Sequence, residues 1–77
     1  MSNNQEIILK ILFDLMNGVY GGIDEYEIYP IAQKQGLNFQ SAYEAILELR
    51  KLGKITYMDH DIAVIPKSLF EEMLRKK

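Results

Sequence analysis

The chain has 77 residues, nine basic and eleven acidic, with a net charge of -2 and a hydrophobic share of 48%. That length makes one domain, residues 1–77, near the size at which a single core barely outweighs chain entropy. Without cysteine and with one histidine, His60, the chain has no disulfide or thiolate site, and no loop has the carboxylate spacing of a calcium site, so neither metal nor cofactor is expected.

The start, Met-Ser-Asn-Asn-Gln-Glu, lacks the basic opening of a signal peptide, and no apolar run has the length of a membrane span. A cytoplasmic protein is expected. Asn3 with Glu6 has capping-box spacing and predicts a first helix to about Asn17, ended by a left-handed Gly18. At about 100° per residue, Ile8, Ile11, Leu12 and Leu15 make one stripe and Leu9, Phe13 and Met16 a second beside it. A helix so widely apolar must be covered on two sides.

Val19 to Ile23 reads as a turn or very short strand. Asp24 with Glu27 caps a second helix ending at Gly36, with Ile28, Ile31 and Ala32 inward. Pro30 falls inside it and predicts a kink or a late start. Asn38 caps a third helix, Phe39 to Leu52, stopped by Gly53; Phe39, Ala42, Ala45, Ile46, Leu49 and Leu52 share its inner face. Two β-prone runs follow, Ile55 to Met58 and Ile62 to Ile65, around an Asp59-His60-Asp61 turn. Pro66 stops the second strand, and Ser68 with Glu71 caps a last helix carrying Leu69, Phe70, Met73 and Leu74. The expected fold is mainly α with a small β-hairpin, in the order helix-helix-helix-hairpin-helix.

That order, and above all the stretch SAYEAILELRKLGKI from Ser41 to Ile55, resembles the winged helix-turn-helix of MarR-like and PadR-like transcriptional regulators. Gly36 and Asn38 stand where those families turn between helices two and three. The resemblance implies a small DNA-binding regulator whose third helix enters the major groove of double-stranded DNA. Gln40 and Ser41 would then read base edges and Arg50, Lys51 and Lys54 meet the phosphates, with Tyr43 a further candidate for DNA contact. It also implies a homodimer, because a terminal helix packs on helix one in many such regulators, often from a second subunit; the alternative is a cap from the last helix of the same chain. Leu9, Phe13, Met16, Leu69, Phe70 and Met73 are the interface candidates.

The sequence departs from that pattern in charge. Glu44, Leu47 and Glu48 occupy outer positions of helix three where basic or small polar groups are common, and the wing tip is acidic. A good base contact contributes roughly 1–3 kcal/mol of discrimination, while a carboxylate about 4 Å from a phosphate costs roughly 1–4 kcal/mol. Two glutamates thus offset Gln40 and one lysine. The second expectation is therefore a protein-interaction module that leaves DNA unbound and docks a partner through Tyr43, Glu44, Leu47 and Glu48.

The remaining features have plain readings. Tyr20, Tyr26, Tyr29 and Tyr57 are core-edge aromatics or, less simply, the lining of a small-molecule pocket. Arg75-Lys76-Lys77 is a solvated helix end that suits the dipole, and His60 is a turn residue. With no Gly-rich phosphate loop and no nucleophile–base pair, catalysis is not expected.

Overall fold

The computed structural model describes all residues, Met1 to Lys77. Helix α1 spans Asn3–Met16, α2 spans Ile28–Lys34, α3 spans Phe39–Lys51 and α4 spans Lys67–Arg75; strands β1, β2 and β3 cover Ile23–Asp24, Thr56–Asp59 and Ile62–Val64. The chain is mainly α with a small β-hairpin, in the predicted order. The very short strand offered as one reading of Val19 to Ile23 is β1, at the end of that stretch; it pairs antiparallel with β3, making a three-stranded sheet of order β1-β3-β2. Two residues are too few to show alternation in a sequence.

The helix ends are where local chemistry decided, and several of them differ from expectation. The first cap is Ser2, one residue early: Gln5 N–H donates to its hydroxyl at 3.2 Å and the Gln5 side chain returns to the Ser2 N–H. At the other end the left-handed residue is Asn17, followed by a second positive φ at Gly18. Asp24 does cap, accepting from Tyr26 N–H at 2.9 Å, but what it starts is a 3-10 turn, Glu25–Glu27, before α2. Pro30 is the third residue of α2, within the first turn, where backbone N–H groups lack intrahelical partners anyway. The late start is the outcome it imposed.

Asn38 caps α3 as predicted, accepting from Ser41 N–H at 2.8 Å. Gly53, with φ of +73°, turns the chain out of α3, and the Lys54 N–H closes the end on the Leu49 carbonyl at 2.8 Å. Ser68 and Glu71 do not cap α4. The helix begins at Lys67, with Pro66 before it and no side-chain cap; the fixed φ of proline suits a helix entry without one.

The core is a single cluster running from α1 through α2 and α3 to the sheet and α4. Ile8, Ile11 and Leu12 on α1 meet Ile28 and Ala32 on α2, with Ala42, Ala45, Ile46 and Leu49 on α3, all buried. The alanines let α3 lie close against α1, and Ile55, Val64 and Ile65 close the sheet side. Two residues assigned to the inner face of α3 are outside it: Phe39 is 58% exposed and Leu52 55%. Each sits at an end of α3, beyond the reach of the helices that cover its middle.

The second stripe of α1 is buried within the single chain. Leu9, Phe13 and Met16 are all less than a tenth exposed, and Phe70 of α4 brings its ring to 5.6 Å from that of Phe13. Of the two covers considered for this stripe, a second subunit or the chain's own last helix, the second is present: α4 packs on it. No helix is long and apolar enough to cross a membrane.

Candidate functional site

The surface of α2 and α3 carries a row of aromatic rings. Tyr26 lies 6.0 Å from Tyr29, Tyr29 lies 4.5 Å from Phe39, and Phe39 stacks at 6.0 Å on Tyr43 with an interplanar angle of 8°. Such spacings suit aromatic pairs, each contributing about 0.5–1.5 kcal/mol beyond area burial. Yet the row is not core: Tyr26 is 59% exposed and Tyr43 40%. Tyr26, Tyr29, Pro30, Gln33 and Phe39 line an open depression of about 340 Å³.

Glu25 anchors this row to the sheet. Its carboxylate accepts from the Tyr29 hydroxyl at 2.5 Å and, through its other oxygen, from the Tyr57 hydroxyl. Burial, then the hydrogen bond to Glu25 and its charge, push both phenols well above their ordinary value. Arg50, whose guanidinium carbon sits 4.4 Å above the Tyr57 ring, partly opposes this at Tyr57. The Glu25 backbone N–H also donates to the Asp61 carbonyl at 2.7 Å. The start of α2, the hairpin and the end of α3 are thereby one rigid corner.

The expected DNA contacts are dispersed. Gln40 is exposed near the start of α3, and Ser41 is half-buried, with its N–H held by Asn38. Arg50 is turned to Tyr57 on the hairpin, whereas Lys51 pairs with Glu48 at 3.4 Å. Lys54, half-buried, lies instead in a groove of about 350 Å³ between α1 and α4 with Leu9, Lys10, Leu69, Met73 and Lys76. The three basic groups point in three directions and form no single strip.

The expected docking set is split as well. Tyr43 belongs to the ring row, and half-buried Leu47 follows it by one helical turn. Glu44 and Glu48 occupy the opposite flank, beside Ser2, Asn4 and Gln5 of the α1 end. Of the dimer candidates, Phe70 is 3% exposed, and Leu69 and Met73 are half-buried against the same core. The sequence reading missed Glu25, Tyr29 and Tyr57 as a unit. Tyr29 follows Glu25 by four residues, a spacing that signals a local contact, but Tyr57 is brought in only by the sheet.

Charge is divided along the chain in the same sense. Between residues 23 and 48 there are five carboxylates, Asp24, Glu25, Glu27, Glu44 and Glu48, against one basic residue, Lys34. Residues 49–77 hold seven basic and four acidic side chains. The segment that carries the aromatic row is thus net negative, with Asp24, Glu25 and Glu27 next to Tyr26 in the chain and Glu44 and Glu48 on the other flank. No protein-family model, curated protein or solved structure matches this chain.

Proposed function

We propose that the chain is a winged-helix domain, with α2 and α3 as its helix-turn-helix and β2–β3 as its wing, and that it acts as a protein-interaction module. What supports the winged-helix reading is the element order together with the antiparallel β1-β3-β2 sheet that α3 runs into. The docking reading rests on one observation, the ring row Tyr26–Tyr29–Phe39–Tyr43, in which Tyr26, Phe39 and Tyr43 are exposed and Tyr29 is half-buried. Exposed aromatic side chains gathered in one place are the usual anchors of protein interfaces.

A nucleic-acid surface needs those rings inside a positive field, because phosphate neutralisation supplies most of the affinity. Here the surrounding segment is negative, and Arg50, Lys51 and Lys54 diverge.

Selection from a displayed random-peptide library tests the docking reading. Peptides are expected to bind the wild-type domain and to lose binding to Phe39→Ala and Tyr43→Ala. In parallel, mixed-sequence duplex at low salt is expected to leave the domain free. Duplex binding that falls with salt by roughly -0.9 in log–log slope per phosphate, and is lost in Arg50→Ala, Lys51→Ala and Lys54→Ala, would establish the DNA-binding regulator instead.

A further inference from the structure

The Glu25 corner and helix α4 are fastened by different kinds of contact. At the corner, two phenol hydroxyls and a backbone N–H tie α2 to the hairpin, and Arg50 lies on Tyr57. From α4 nothing polar crosses to another element. Its one ion pair, Glu72–Lys76 at 3.3 Å, is internal, and so are its backbone bonds past Pro66.

The hold on α4 is apolar and narrow. Of its nine residues only Phe70 is buried, its ring 5.6 Å from those of Phe13 and Tyr20. Leu69 and Met73 are half-buried and Leu74 is exposed. Away from Phe70 the seam with α1 stays open. Two grooves of about 350 and 370 Å³ run along it and share Lys10, Met73 and Lys76, where a settled core contact would be close-packed.

A helix of nine residues does not persist alone in water, and α4 has no side-chain cap to help it start. It is therefore helical only while Phe70 is seated. One buried ring and two half-buried side chains have to offset the chain entropy of the whole segment. In α1, by contrast, six buried residues share fourteen. The boundary between the two regimes is sharp. Val64 and Ile65 are fully held in the core, and Pro66, which has no N–H to tie it back, follows at once.

We propose that α4 is a strap that opens about Pro66 as one unit, at a lower free energy than global unfolding, while α1, α2, α3 and the sheet stay folded. Opening melts the helix and uncovers Leu9, Phe13 and Met16 of α1, an apolar stripe that meets water only in the open state. Segments with few buried contacts and no polar ties to the core are the ones that open locally. The seam shares no residue with the ring row, so the strap opens independently of what the rings bind.

Native-state hydrogen exchange of the full chain, followed by NMR in sub-denaturing urea, tests this. The amides of Phe70, Glu71, Glu72 and Met73 are expected to share one opening free energy. Their protection should lie at least roughly tenfold below that of Leu12 and Leu49, with a urea slope above zero but smaller than the global one. Ile46→Val, a mild change in the α1–α3 core, should lower protection of Leu12 and Leu49 several-fold and leave that of α4 unchanged. Phe70→Ala should abolish protection in α4 while Leu12 and Leu49 remain protected.

Protection in α4 equal to that of α1 and α3, and falling with theirs in Ile46→Val, overturns the proposal and makes α4 part of one cooperative core. A gradient of protection toward Lys77 with no urea slope also overturns it, since that is the pattern of a fraying end. Protection in α4 that rises with protein concentration overturns it too, because the helix is then exchanged between copies.

Discussion

Two apolar surfaces of this molecule invert what their sequences suggest. The second stripe of α1, Leu9, Phe13 and Met16, reads first as a face for a second subunit and only second as one capped within the chain, yet α4 of the same chain covers it. Phe39 reads as core on α3 and Tyr26 as a core-edge ring, yet each stands more than half in solvent. Periodicity reports which faces of a helix are apolar. It does not report which element arrives to cover them, and the lesson is that an uncovered face is a property of packing.

The comparison breaks most visibly at Phe70, and the largest effect is expected there. The ring is nearly inaccessible and touches both Phe13 and Tyr20, each at 5.6 Å between centroids. Phe70→Ala should cost about 3–5 kcal/mol, read from urea denaturation. If α4 were a detachable arm that another copy supplies, the loss would instead depend on protein concentration, and light scattering would show the mass change.

Next in size is Gly22. A side-chain carbon there would collide with the Ile62 side chain and press on the Met58 sulfur, because β1 enters the sheet beneath them. Gly22→Ala should therefore destabilise by about 1–3 kcal/mol, and a shift in thermal midpoint measures it. A smaller effect is expected at the corner that supports the ring row. Tyr57→Phe removes one donor from Glu25, a loss of about 1–2 kcal/mol.

The same corner sets an alkaline limit. Both phenols have folded values raised above the ordinary 10.0. Their contribution is complete below that value and declines as pH rises past it, when the unfolded chain releases protons that the folded chain retains. Denaturant midpoints should hold from neutral to mildly alkaline pH and then fall. The fall should be shallower in a Tyr29→Phe, Tyr57→Phe double variant.

The smallest effects belong to the exposed side of the comparison. Phe39→Ala should change stability by about 1–2 kcal/mol at most, since it gives up two ring neighbours, Tyr29 at 4.5 Å and Tyr43 at 6.0 Å, but little buried area. Loss of peptide binding without loss of fold is the signature that separates this ring from Phe70. Lys51→Ala, which opens an exposed pair at 3.4 Å, should stay within about 0.5 kcal/mol.

The sequence by itself determined the four helices and the hairpin, because those follow from local chemistry. The Asn38 cap, the Gly53 exit and the buried stripe of Ala42, Ala45, Ile46 and Leu49 are written within single turns of chain. Even Pro30 delayed α2 as its missing N–H requires. It also marked Tyr43 as an outward residue, one of the four rings of the candidate surface.

Only the tertiary structure decided the rest. β1 is a strand because Ile23 and Asp24 meet β3 across some forty residues of chain. Glu25 joins Tyr29 and Tyr57 because that pairing brings the hairpin to the start of α2. Arg50 and Lys54 part company because the chain turns at Gly53. Spacing along a chain fixes what a residue can do with its near neighbours; what faces it across the molecule depends on how the elements close, and the closure gathers these rings at the surface.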